Sequence, residues 1–249
     1  MIPDRTELEW IYSPSDFFEA PYRVKVGEVD MMVEGGKAIA SITGSVDSVP
    51  KDFEERARIL LESIFLLRRL QLRTRYKLEG PRVYQYSSGR KNISIRIGTG
   101  SIVLMSGQVD FLLKDAEGNV VRDSKAERIA EHISLLDELA PKVPHSATLR
   151  SLLESYSQSI DDPNNELVHL YEVRDALSHH YGNEQAARNA LAISKTEWQR
   201  LGILANVEPL KEGRHRGKHS HVKRQATSSE LDEARSFVCR WIIAFGQTI

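Results

Sequence analysis

The sequence predicts an α+β fold: an N-terminal antiparallel sheet with one long helix, followed by a C-terminal all-α helical bundle. Three observations carry this. Short runs of alternating apolar residues recur before residue 122, and a period of two marks half-buried strands. One run of helical period interrupts them at residues 52 to 74. From residue 124 onward every apolar pattern has helical spacing, and strands first with helices after is the α+β order. The expected domains are therefore 1–122, α+β, and 123–249, helical.

Each element has its own signal. In KAIASITGSV, Ala38, Ala40, Ile42 and Val46 share one face of a strand. YRVKVGEVDMMV also alternates, but its parity shifts between Val26 and Val29; a bulge at Gly27-Glu28 is expected, and a hairpin turn at Gly35-Gly36. Asp52 and Glu55 stand at cap and N3 spacing, and Phe53, Ala57, Leu60, Leu61, Ile64 and Leu67 form the stripe of the long helix,. Phe65 and Leu66 widen it, which predicts cover on more than one side. NISIRIG alternates at Ile93, Ile95 and Ile97, and VDFLLKDAEGNVV reads as two short strands about a turn at Glu117-Gly118-Asn119,.

In the helical part, KAERIAEHISLLDELA and ATLRSLLESYSQSI are amphipathic and separated by PKVPHS. A third helix is expected to open at Asp162 and Pro163 and stop at Gly182,. EQAARNAL is a short helix. Ser194 with Glu197, and Thr227 with Glu230, are capping boxes that open the last two helices,.

Composition excludes several classes. Apolar residues make up 41% and charged residues 28% of the 249, as in globular proteins. The net charge of −1 leaves attraction to polyanions to local patches,. A single cysteine, Cys239, excludes an internal disulfide and a thiolate zinc site,. No signal-like or membrane-spanning run is read in the chain, so a cytoplasmic protein without a membrane partner is expected. Walker, GxGxxG, GxSxG and HExxH patterns are lacking, and no cofactor or metal is expected.

Charge is unevenly placed. Between Arg56 and Arg96 there are eleven Lys and Arg against Glu62 and Glu79. Arg68, Arg69, Arg73 and Arg75 crowd the end of the long helix, near Tyr76, Tyr84 and Tyr86. Cations interleaved with aromatics suit single-stranded nucleic acid; a solvated helix end with paired cations is the competing reading.

The run Arg174-Asp175-Ala176-Leu177-Ser178-His179 resembles the RxxxxH motif of HEPN-domain RNases, small helical bundles that pair into homodimers. The resemblance implies metal-independent endoribonuclease chemistry at a scissile phosphate gathered by two protomers. Arg174 would be the phosphate cation, His179 the acid/base and Asp175 the orienter. A cation on phosphate and a group titrating near neutrality are what such cleavage needs. The helical wheel opposes a single-helix site. Arg174 falls within the face of Leu167, Leu170, Leu177 and Tyr181, and His179 lies about 140° away at about 100° per residue. A structural arginine, which must then be paired, is the competing reading.

The segment GNEQAARNALAISKTEWQRLGILAN places Ala187, Leu191, Ile193, Trp198 and Leu201 at core spacing, as in a helix-turn-helix unit. Lys195, Thr196, Gln199 and Arg200 would be its exposed face. DNA is ranked below RNA as a ligand, because the unit occurs in many folds that bind no DNA.

Between Lys211 and Arg224 stand six Lys or Arg and three His, opposed by Glu212. The core of this run is GRHRGKHSH. Its cations would repel a metal ion from His215, His219 and His221. Arg214, Arg216 and Lys218 suit phosphate oxygens, and His215 beside Arg214 is a candidate acid/base; a solvated loop is the alternative. Residues 170–217 also resemble a helical region that recurs at the C-terminus of bacterial proteins. That likeness transfers no activity, but it points to Glu172, Asn206 and Arg214-His215. The expectation is a nucleic-acid-binding protein with RNA as partner, in its sharpest form a HEPN-type endoribonuclease using Arg174, His179 and His215. The alternative is a non-catalytic regulatory protein whose helix-turn-helix-like unit binds DNA or a protein.

Overall fold

The computed structural model describes residues 5–44, 49–87, 90–95, 112–114, 119–214 and 223–249. It has two compact units, Met1–Pro141 and Lys142–Ile249. The α+β reading holds: an antiparallel sheet with one long helix precedes a helical bundle.

In the first unit, β1 (Arg5–Ser13), β2 (Tyr22–Val26), β3 (Val29–Glu34), β4 (Lys37–Thr43), β5 (Lys77–Ser87) and β6 (Arg90–Ile95) form one sheet in the order β2-β3-β4-β1-β5-β6. All neighbours are antiparallel. Strands β1 and β5, neither at an edge of the sheet, were not anticipated by the sequence pattern. β1 alternates, with Thr6, Leu8, Trp10 and Tyr12 buried on one face,; on its other face Glu9 is covered too, accepting from the Tyr84 hydroxyl at 3.0 Å. Register builds the core in rows: Ala40 lies between Met31 and Leu8, and Ala38 between Val33 and Trp10. Small residues on β4 thus admit large ones from both sides, and all six are buried.

The parity shift at Gly27-Glu28 is a hairpin turn rather than a bulge. Val26 pairs with Val29, and Gly27 supplies the positive φ of +57° at the first central position, as type II′ turns require. Gly35-Gly36 makes the expected turn, with Glu34 opposite Lys37.

α1 (Phe53–Leu72) buries its whole expected stripe together with Phe65 and Leu66. It packs on β3 and on α2 (Ser124–Leu139). Asp52 makes no side-chain cap; its carboxylate pairs with Arg56 at 3.2 Å. β7 (Leu112–Lys114) and β8 (Val120–Asp123) are a separate two-stranded pair. α2 belongs to this unit, so the division falls at Pro141, some twenty residues beyond the point where the strand pattern ends. Val46, Ile97 and Glu117-Gly118 lie outside the described residues.

The second unit holds α3 (Ala147–Asp161), α4 (Glu166–His180), α5 (Glu184–Ala190), α6 (Lys195–Asn206) and α7 (Ser228–Thr248). α4 touches all four others. Pro163–Asn165 is a 3-10 turn ahead of α4; the Asp162 carboxylate accepts from the Asn165 side chain at 2.6 Å and makes no cap bond, while its carbonyl accepts the Asn165 N–H at 3.0 Å. Both capping boxes are formed. The start of α4 is tied to α7 by Glu166, 2% exposed, which Arg235 grips with two donors. Among the described residues no helix is long and apolar enough to cross a membrane.

Candidate functional site

α4 sets Tyr171, Arg174 and Asp175 within an arc of about 100°, on the side that meets α5 and α6. Arg174 sits on the apolar face, as its spacing predicts, and its side chain is 16% exposed. Its charge is answered from α5, where Nη2 donates to Glu184 Oε2 at 3.2 Å. Nη1 donates to the Tyr171 hydroxyl at 2.9 Å. The guanidinium carbon lies 4.9 Å from the centre of the Tyr171 ring and 5.0 Å from that of Trp198 on α6; partly desolvated stacking of this kind favours Arg over Lys.

Gly202 makes this arrangement fit. A Cβ at that position would come 2.6 Å from Arg174 Nη1. Glycine inside a helix costs about 0.5–1 kcal/mol relative to alanine, and here it leaves room for the guanidinium. Trp198 in turn stacks on Trp241 of α7 at 5.1 Å, so Arg174 is continuous with the aromatic core of the bundle.

The second cation comes from the segment after α6. Gly213 packs so closely that a Cβ would lie 2.9 Å from the Ala205 carbonyl. The Arg214 N–H donates to that same carbonyl at 2.8 Å. From this anchored backbone Arg214 reaches α4: Nη1 donates to Asp175 Oδ2 at 3.0 Å, and its guanidinium carbon is 4.7 Å from the Tyr171 ring centre. The Tyr171 ring therefore carries two guanidinium groups. Arg214 and Asp175 are well exposed, at 40% and 52%, so their pair contributes about 0.2–1 kcal/mol.

The sequence-predicted residues divide accordingly. Arg174, Asp175 and Arg214 are brought together around Tyr171. His179 is exposed at the end of α4, and the partners of Arg174 are Tyr171 and Glu184 rather than His179. His215, Arg216 and Lys218 lie outside the described residues. The helix-turn-helix spacing holds, with Ala187, Leu191, Ile193, Trp198 and Leu201 all buried. Lys195, Thr196 and Gln199 are exposed, whereas Arg200 is committed to Glu233 at 2.9 Å.

The other expected cation surface, in the first unit, is largely internal. Arg68 and Arg69 are 2% and 3% exposed, so they do not present guanidinium groups to a nucleic-acid backbone. Arg68 donates to the Phe17 carbonyl at 3.0 Å and to Glu19 at 3.1 Å, and contacts His132 Nδ1. Since arginine can only donate, that nitrogen is the acceptor of a neutral imidazole. Burial, and then the Arg68 charge, hold the His132 pKa down at about 4. Burial acts to raise Glu19, but Arg128 and Arg68 outweigh it and lower its pKa. Arg69 lies over the Tyr76 ring at 5.5 Å. Arg73 is half-buried in a left-handed helix cap and Arg75 is exposed.

Sequence reasoning missed the roles of Tyr171, Glu184 and Gly202. The i, i+3 and i, i+4 spacing from Tyr171 to Arg174 and Asp175 was the available signal; a glycine facing an arginine across two helices had none. The chain matches no protein-family model, no curated protein and no solved structure.

Proposed function

We propose that the chain binds nucleic acid, with RNA as its ligand, through Arg214 and the basic segment that follows it in the helical unit. One observation carries this reading: Arg214 is held at both backbone and side chain, yet 40% of its side chain stays exposed, at the start of a run that continues Arg216, Lys218. A positioned, solvent-facing guanidinium meets phosphate oxygens without first being ordered.

The HEPN-type version adds cleavage, with Arg174 on the phosphate and His179 and His215 as acid and base. The commitment of Arg174 to Glu184 and two aromatic rings favours binding over cleavage by a single chain. The pairing of protomers that the motif implies is the arrangement in which cleavage would run. A DNA or protein partner at α6 is supported by the exposure of Lys195, Thr196 and Gln199.

Anisotropy of labelled single-stranded RNA and DNA of equal length, in EDTA, with the RNA recovered on a gel, separates these readings. Salt-dependent binding of intact RNA, weakened by Arg214→Gln, is expected. RNA cleaved in EDTA and protected by His179→Ala would establish the endoribonuclease; no RNA binding at 50 mM salt would remove both.

A further inference from the structure

We propose a phosphate subsite at the base of the 211–223 segment, formed by Lys211, Lys223, Asn164 and Gln225. It rests on the nucleic-acid reading for its biological ligand, but not for its chemistry. The chain on either side is pinned: Lys211 N–H donates to the Arg224 carbonyl and Arg224 N–H to that of Pro209, both at 3.0 Å. This pairing brings the two lysines, twelve residues apart in sequence, to one open cavity of about 390 Å³. Asn164 and Gln225 also line it, and Glu212 completes the wall.

The cavity is set apart by the two lysines it brings together. Every described arginine of Lys142–Ile249 is in an ion pair. Among the described residues Lys211 and Lys223, like Lys142 and Lys195, are in none, and of these four only Lys211 and Lys223 share a cavity. The carboxylate on the wall, Glu212, is turned to the backbone, its Oε2 accepting the Ala226 N–H at 3.0 Å, and it retains its charge. Two ammonium groups against one carboxylate leave the lining with a net positive charge for a compact, highly charged oxyanion. Lysine serves phosphate as a point charge and needs no fixed planar geometry. A solvated site of this kind binds one phosphate weakly and gains its effect as one of several contacts along a polynucleotide.

Two measurements on the full chain test this. In the first, pyrophosphate is titrated into ¹⁵N-labelled protein. Saturable shifts are expected at the side-chain amides of Asn164 and Gln225 and at the backbone of Lys211 and Lys223, and they should vanish in K211Q/K223Q. In the second, the affinity of a twelve-residue polyuridine is followed against salt. The same double variant should lose about tenfold in affinity, and its log–log slope should flatten by about 1.4, two contacts at about 0.7 each for a single strand. K125Q, a surface change in the first unit, should alter neither. Absence of pyrophosphate shifts at the four residues overturns the subsite, and so does an unchanged RNA slope in K211Q/K223Q; the second outcome leaves RNA binding itself intact. Pyrophosphate shifts without any RNA binding by the wild type would uphold the subsite and remove the RNA reading. If the double variant failed to fold, the wild-type titration would still decide.

Discussion

The backbone N–H of Arg214 and the carbonyl of Ala205 are 2.8 Å apart, and this bond fixes where the basic segment leaves the helical unit. It forms because Gly213 has no side chain: a Cβ there would stand 2.9 Å from the same oxygen. A backbone atom cannot swing aside as a side chain can, so Gly213→Ala must move the segment. The expected cost is about 1–2 kcal/mol of stability, read by urea unfolding, with RNA affinity falling as Arg214 loses its position. A variant with unchanged stability and affinity would show that the anchor is not needed.

Arg174 and His179 are expected to behave as unequal residues rather than as a pair. Arg174→Ala empties the space over Trp198 and removes one of the two cations on the partly exposed Glu184, which keeps Arg188 at 3.4 Å, at about 1–2 kcal/mol, and Arg174→Lys restores this only in part. His179→Ala, at an exposed helix end, should stay within about 0.5 kcal/mol of wild type. Equal losses in the two melting curves would count against this placement.

Gly202 and Arg174 should be coupled. In the wild type, Gly202→Ala gains helix propensity and displaces the guanidinium; in an Arg174→Ala background only the gain remains. A double-mutant cycle is expected to give an interaction energy of about 1 kcal/mol. Additive changes would mean that Arg174 moves aside without cost.

In the first unit, acid should act through His132. Its folded pKa, about 4, lies below the unfolded value of about 6.5, so the unfolded chain takes up the proton first. The stability is present above pH 6.5 and is lost as pH falls from 6.5 towards 4. The full shift corresponds to roughly 3 kcal/mol, which solvent access to the half-buried ring reduces to about 1–2 kcal/mol. Glu19, whose pKa is lowered, adds a further loss once the pH falls below the ordinary carboxylate range. His132→Gln keeps an acceptor for Arg68 and should abolish the first step between pH 6.5 and 4.5; the same loss in that variant would place the titration elsewhere.

Local signals were legible in the sequence wherever the cause is itself local. Ser194 with Glu197 and Thr227 with Glu230 close their capping boxes within four residues, and the alternation of β4 reports one buried face. Gly27-Glu28 was misread because a bulge and a two-residue turn shift parity alike. Arg68 was misread because its counter-charge, Glu19, and its cover, His132, lie 49 and 64 residues away. The Arg174 site was half legible: an apolar face demands a partner for a cation, but which carboxylate supplies it depends on how α5 docks.

Ultraviolet crosslinking of a photoreactive single-stranded RNA to the full chain, with the linked peptides identified by mass spectrometry, tests the central claim most directly. Linked peptides should come from residues 211–224 of the helical unit and be lost in Arg214→Gln with K211Q/K223Q. Linkage confined to the α1–β5 region of the first unit, or no linkage at all, would contradict the account.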